Sequence, residues 1–234
     1  MQIKDSVVLV TGANRGIGAE FVRQLKERGA AKIYATARSV GSIDVDGVEV
    51  IALDVTDPEQ VEAAAALADD VQLLINNAGV SSGLTALGSD IAGIRREFDV
   101  NVFGPLALTR AFAPALARNG GGAVLNVLSA LSWISSPGAS VYAATKATAW
   151  SLTDGTRIEL ADQGTQVLGM HMGMVDTDMT AGWDIAKITP AAAVTAALDG
   201  IEAGLSEVLV DDTAKFVKST LGLDPVARYA VPVG

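Results

Sequence analysis

At 234 residues, half of them hydrophobic, the chain is long enough for one domain, 1–234, that buries a whole sheet. A formal charge of −10 disfavours nucleic acid and anionic membrane as partners. The absence of cysteine excludes disulfides and thiolate chemistry, and a single histidine, His171, argues against a metal centre. No uninterrupted apolar run reaches the ~18 residues of a membrane span. The first strand begins by about residue 6, with no room for a signal peptide, so a cytoplasmic protein is expected.

The first candidate strand, Val7–Val10, runs into "TGANRGIG", residues 11–18, and then into a helical pattern over Ile17–Arg28. Gly12, Gly16 and Gly18 would let the backbone turn sharply and approach a ligand, with the helix N-terminus offering N–H groups to a phosphate. The second strand, Lys32–Ala37, ends with Arg38 and Ser39, where an NAD site usually places a carboxylate. Arg38, with Arg15 closing from the glycine loop, suits a 2′-phosphate, so NADPH is expected over NADH. A third strand, Val48–Asp54, precedes a helix over Pro58–Ala68 that Asp57 is placed to cap.

A fourth strand, Gln72–Asn76, leads through "NNAG" toward a long helical pattern over Asp90–Arg118. The fifth, Ala123–Leu128, ends at Ser129, and a helix over Val141–Ala161 follows. That helix places Tyr142 and Lys146 four residues apart, on one face. A free tyrosine titrates near ~10, and a neighbouring ammonium favours the phenolate, so Tyr142 is expected to be drawn toward the range of general acid–base catalysis. The sixth strand, Gln166–Met170, is followed by a short lid over residues 180–190, a helix over Pro190–Ala203 capped by Thr189, and a seventh strand, Glu207–Val210. This alternation predicts a Rossmann-type, doubly wound α/β fold, a seven-stranded, mostly parallel sheet with helices on both faces. Ligands then bind beyond the carboxyl ends of the strands.

"TGANRGIG", "NNAG", "DVN" (Asp99–Asn101), the serine of "NVLS", "YAATK" and "HMGMVDTDM" stand in the order and spacing of the short-chain dehydrogenase/reductase family, and the chain resembles that family from Val7 to about Met179. The resemblance implies a catalytic tetrad of Asn101, Ser129, Tyr142 and Lys146. Tyr142 would protonate a carbonyl oxygen that Ser129 also binds, while NADPH delivers a hydride to carbon. Lys146 would hold the nicotinamide ribose and lower the tyrosine pKa, and Asn101 would kink its helix and hold a water of a proton relay. Cofactor contacts would come from Gly12, Asn14, Arg15, Gly16, Ile17 and Gly18 in the first loop and from Arg38 and Ser39 after the second strand. Asp54 and Val55 would meet the adenine. Asn77, Ala78 and Gly79 would line the cofactor backbone, with Gly173, Val175 and Thr177 beside the nicotinamide amide and diphosphate. Two departures are Leu128, where a serine is common, and Met172-Gly173, where Pro-Gly is usual.

Trp133, Val141, Met172 and Trp183 are the candidate substrate contacts, although the tryptophans could equally staple loops to the domain. Their apolar character favours a small ketone, diketone or aldehyde. A ketoacyl-carrier-protein reductase is an alternative, weakened because carrier proteins and this chain are both acidic. A non-catalytic NADP(H) sensor is another, disfavoured by the complete tetrad. A halide-releasing relative would have lost the glycine loop and the lysine. Members of the family are usually dimers or tetramers built on the two long helices, and the tail "DPVARYAVPVG" could cover a neighbouring subunit with Tyr229 near a pocket.

Overall fold

A computed structural model describes residues 1–230. Seven strands, β1 (Val7–Thr11), β2 (Lys32–Ala37), β3 (Glu49–Ala52), β4 (Leu73–Asn76), β5 (Ala123–Val127), β6 (Gln166–His171) and β7 (Glu207–Leu209), form one sheet in the order β3-β2-β1-β4-β5-β6-β7. All six pairings are parallel. Strand residues alternate between two cores, as the two-residue period of a strand requires. Val8, Val10, Leu73, Ile75 and Leu125 face one side, with α1 (Gly16–Glu27) and α6 (Pro190–Glu202) laid over them. Leu9, Tyr34, Leu74 and Val124 face the other, covered by α2 (Pro58–Leu67) and α4 (Gly104–Arg118). The chain order reverses between β1 and β4, and the crevice at that switch point is where such sheets bind ligands.

The long helical pattern is two helices joined out of phase. Helix α3 (Ile91–Phe98) widens into a π-turn over Asp99–Phe103 before α4 begins. Pro105 has no N–H to return to the carbonyl four residues back, and its ring would collide with that group, so the backbone loosens there. The stretch Ile91–Arg118, 28 residues, is long and apolar enough on average to cross a membrane, although charged residues such as Arg95, Glu97 and Arg110 interrupt it. Here it lays Leu108, Phe112 and Leu116 into the second core.

Asp57 and Thr189 cap α2 and α6 as expected, accepting from Glu59 and Gln60 N–H and from Ala192 N–H. Asp90 caps α3, and Asp211 caps α7 (Asp212–Ser219). Helix α5 (Ser140–Glu159) follows the sequence pattern closely. Neither α7 nor the final α8 (Pro225–Ala230) was anticipated from the pattern. Through α8, Tyr229 reaches its own chain, its hydroxyl accepting from Ser135 N–H at 2.9 Å. The last four residues of the apolar tail, 231–234, lie outside the described residues.

Candidate active site and cofactor cradle

The glycine loop leaves β1 with Gly12 and Gly16 in the left-handed region, at φ 63° and 54°. Gly18 is required for another reason: a Cβ there would lie 2.0 Å from the Gly12 carbonyl oxygen and 2.6 Å from Asn77 Nδ2. Asn77 Nδ2 donates to the carbonyls of Thr11 and Gly12, at 2.8 and 3.2 Å, tying the loop after β4 to the loop after β1. Helix α1, like α4 and α5, has neither a side-chain cap nor an acidic residue in its first turn, whereas α2, α3, α6 and α7 are each capped by an Asp or Thr side chain. The positive end of α1 is left for an anion. A Cβ at Gly16 would sit 3.3 Å from Thr177 Cγ2, so the loop after β6 closes the cradle from the opposite side. Asn14 and Ile17 are partly exposed on the same loop. The cradle fits a dinucleotide diphosphate.

Arg15 is found on a carboxylate partner that the sequence does not point to. Arg15 Nη1 pairs with Asp178 Oδ2 at 3.1 Å, both side chains largely exposed. The Asp178 carboxylate attracts Arg15 toward the loop after β6. Such an exposed pair is weak, and a phosphate could displace it. Arg38 and Ser39 are exposed at the end of β2. Asp54 Oδ1 accepts from Thr56 N–H and Oγ1 at 3.0 and 2.7 Å. The Thr56 N–H, then its hydroxyl, then the Arg38 charge hold the Asp54 carboxyl below its ordinary value, against partial burial. Val55, next in the chain, is buried in the second core.

The four tetrad residues converge. Asn101 lies in the π-turn, its Oδ1 accepting from Val80 N–H at 2.9 Å and its Nδ2 donating to Val80 O at 2.8 Å and Thr145 Oγ1 at 3.1 Å. A Cβ at Gly79 would be 3.3 Å from Asn101 Oδ1 and 3.9 Å from Lys146 Nζ. Lys146 Nζ donates to Val127 O at 2.8 Å and stands 5.6 Å from the centroid of the Tyr142 ring. Ser129, at the end of β5, accepts from Leu131 N–H at 3.1 Å.

Tyr142 does not show the expected lowering. Burial pushes its hydroxyl up to about 12, with the neighbouring Ser129 hydroxyl opposing and the Glu97 charge adding to the rise. Lys146 is lowered to about 8 by burial. The ammonium donates to the Val127 carbonyl and stands 5.6 Å from the tyrosine ring centroid, so it does not offset the effect of burial on the phenol.

A family model for short chain dehydrogenase matches residues 6–187. The chain belongs to that family. A short chain dehydrogenase from Burkholderia cenocepacia J2315, solved in complex with NADP, is 39% identical and has a TM-score of 0.94, over 99% of this chain and 100% of that one. The bulky-bulky ketone specific alcohol dehydrogenase from Comamonas testosteroni is 26% identical, with a TM-score of 0.78 over 87% and 85% of the two chains. An uncharacterised oxidoreductase of Staphylococcus aureus is 29% identical over 78% of this chain and 83% of its own.

In this short chain dehydrogenase the substrate-wall candidates divide by burial. Trp133 is buried in a third cluster, stacked on His171 with ring centroids 4.0 Å apart and set edge-on to Trp150, so the structure gives it the stapling role. Val141 and Met172 are buried as well, Met172 in the first core. Trp183 and Ile185 are half exposed on the lid. The lid is closed at its base by backbone bonds from Asp176 N to Ile188 O and Ile188 N to Met174 O, both 2.9 Å, and Lys187 Nζ donates to Thr180 O at 2.7 Å. Val175 O accepts from Thr180 Oγ1 at 2.6 Å, which holds Val175 and Thr177 against the cradle.

Two supporting residues escaped the sequence reading. Thr11 Oγ1 accepts from the N–H groups of Asn77 and Ala78 at 2.9 and 3.0 Å and so joins the two cofactor loops. Its signal was a hydroxyl at a strand's carboxyl end beside the first glycine. Asp211 Oδ2 accepts from Gly173 N–H at 2.8 Å while Oδ1 caps α7, fixing the loop after β6. No local pattern marks it.

Proposed function

We propose that the chain is an NADPH-dependent carbonyl reductase, acting reversibly on small, largely apolar ketones, diketones or aldehydes. The observation that carries the reading is the placement of Tyr142 beside the Ser129 hydroxyl and over Lys146, at the mouth of a cradle whose helix end is uncapped. When bound, the reduced nicotinamide supplies a hydride to the carbonyl carbon. Tyr142 gives its phenolic proton to the oxygen, and Ser129 donates a hydrogen bond to the same oxygen; the C=O double bond becomes an alcohol C–O and the phenol a phenolate. Lys146 would hold the ribose and, once turned from the Val127 carbonyl, would stabilise that phenolate. Asn101 fixes Val80 and Thr145 around the site and would order the water that returns a proton.

Arg38 and the absence of a carboxylate at the end of β2 support the 2′-phosphate, as does the NADP complex of the Burkholderia relative. Trp183 and Ile185 on the lid, and the likeness to the bulky-ketone alcohol dehydrogenase, support an apolar substrate. Exposed Phe103, in the π-turn that leads into α4, and Ile158 on α5 support homo-oligomers.

The test is NADPH oxidation with a panel of ketones, diketones, aldehydes and keto acids, with Tyr142→Phe alongside. Turnover should fall by roughly 10²–10⁴-fold in the variant, as loss of a general acid does, with nucleotide affinity retained. Turnover within tenfold of wild type would remove Tyr142 from the chemistry. Faster reduction of keto acids than of apolar ketones would overturn the substrate class.

A further inference from the structure

The ring of His171 touches the catalytic region at two points, and the mechanism assigns it nothing. A short helical turn, Ala130–Ser132, carries the chain away from β5, with Ser129 at its start and Trp133 at its end. His171 Nδ1 lies 3.1 Å from the carbonyl oxygen of Ser129, while the ring stacks on Trp133 with centroids 4.0 Å apart. One buried imidazole therefore holds both ends of the turn.

Backbone bonds flank the contact. Leu128 N–H donates to Met170 O and Ala130 N–H to Met172 O, both at 2.8 Å. Met170, His171 and Met172 thus fix Leu128, Ser129 and Ala130, with the imidazole serving the middle residue. The Ser129 carbonyl also accepts from Ser132 N–H at 3.0 Å, so both its lone pairs are engaged and the peptide plane after Ser129 is set. On the side chain, Oγ accepts from Leu131 N–H, which leaves the hydroxyl proton for donation.

A carbonyl oxygen only accepts, so the bond to Ser129 requires the imidazole proton on Nδ1. The other nitrogen, Nε2, is buried without a hydrogen-bond partner. Glu207 Oε1 is 3.7 Å from it, beyond hydrogen-bond reach, and Lys218 pairs with that carboxylate. A leucine at this position could pack on Trp133 without leaving a nitrogen unpaired in the interior, which is costly. The bond to Ser129 is what the imidazole adds.

We propose that His171 is a positioning residue for Ser129: its Nδ1–H holds the serine's carbonyl and its stack on Trp133 holds the far end of the same turn, so the Ser129 hydroxyl is presented to the substrate oxygen in one orientation. This rests on the reading of Ser129 as a donor to the reacting carbonyl.

Because His171 is the only histidine, ¹⁵N-histidine labelling gives one pair of ring-nitrogen resonances by NMR. At pH 8 the ring is neutral, since burial lowers it to about 4, and Nδ1 should resonate as a protonated nitrogen and Nε2 as a bare one. A proton on Nε2 would overturn the proposal, and this readout needs neither turnover nor a variant. Kinetics with NADPH and the fastest ketone of the panel then separate positioning from packing. His171→Leu should lower kcat by roughly 10–100-fold, as misplacement of a reacting group does, with the Kd for NADPH retained. His171→Asn, whose amide nitrogen reaches the place of Nδ1, should recover most of that loss. In a Ser129→Ala background, His171→Leu should have no further effect on kcat. Equal fold losses in the two backgrounds, wild-type kcat in a folded His171→Leu, or no recovery in His171→Asn would overturn the proposal. If His171→Leu does not fold, His171→Met, a flexible filler without a donor, carries the same comparison. Wild-type kcat in Ser129→Ala would instead refute the reading of Ser129, and the proposal with it.

Discussion

His171 makes the stability of this protein acid-sensitive in a way that can be isolated, because it is the only histidine in the chain. Its ring is fully buried, stacked on Trp133, with Nδ1 3.1 Å from the carbonyl oxygen of Ser129 and Nε2 without a hydrogen-bond partner. Glu207 Oε1 lies 3.7 Å from Nε2, but Lys218 pairs with that carboxylate and offsets its pull. Burial, aided by the charges of Lys218 and Lys146, lowers the imidazole from its ordinary 6.5 to about 4, against the Ser129 carbonyl and Asp154. The folded protein therefore resists the proton while the unfolded chain accepts it, so stability is intact above pH 6.5 and is lost as the pH falls toward 4. At 1.36 kcal/mol per pH unit the full loss is roughly 3 kcal/mol, of which about 2 kcal/mol is gone by pH 5. For a domain of this size that is a fall of roughly 4–8 °C in Tm. Urea unfolding at pH 8 and pH 5, on wild type and His171→Gln, measures it. The carboxylates are common to both proteins and cancel in the difference. Wild type should lose about 2 kcal/mol more than the variant between the two pH values. Equal losses would refute the argument, whatever the variant's stability at pH 8.

Gly18→Ala must displace either the Gly12 carbonyl or Asn77, and NADPH affinity by fluorescence titration should fall about 100-fold with a smaller loss of stability; affinity within threefold of wild type would show that the cradle yields. Arg38→Ala should reduce the preference for NADPH over NADH by roughly 1–3 kcal/mol in paired titrations, as loss of a charged hydrogen bond does, and an unchanged ratio would assign the 2′-phosphate elsewhere. Asp211→Ala removes both the α7 cap and the bond to Gly173 N–H. It should cost about 1–3 kcal/mol in denaturant unfolding and also raise the Kd for NADPH, whereas a stability loss with unchanged Kd would confine Asp211 to the helix.

Most of the fold is legible because buried parallel strands read as short Val, Ile and Leu runs, and because Asp57-Pro58 and Thr189-Pro190 mark helix starts with little ambiguity. Helix α7 is harder to see, since only Ala214 and Val217 of its eight residues are buried and the rest reads as polar loop. The π-turn depends on what Pro105 denies to the preceding turn, which a helical period does not register. Within the site, residue identity and order are legible but side-chain direction is not. Tyr142 and Lys146 share a face by spacing alone, yet only the fold shows that Nζ is taken by the Val127 carbonyl and that the phenol is pushed up, not down. Arg15 is similar: a guanidinium in a glycine loop suggests phosphate, and Asp178, some 160 residues away in sequence, claims it.

The apposition of Gly16 and Thr177 has a consequence for the order in which the protein becomes competent during its own synthesis. The first side of the cradle leaves the ribosome early, but its opposite side follows about 160 residues later, or roughly 10–30 s at ordinary elongation rates. Strand β4 must pair beside β1, and β5 and β6 must follow, before the loop carrying Thr177 can arrive. A nascent chain therefore cannot draw on nucleotide binding to stabilise its early strands. The ligand can stabilise only a chain that has already assembled six of its seven strands, so nucleotide concentration should act on the lifetime of the finished protein and scarcely on the yield of its early intermediates.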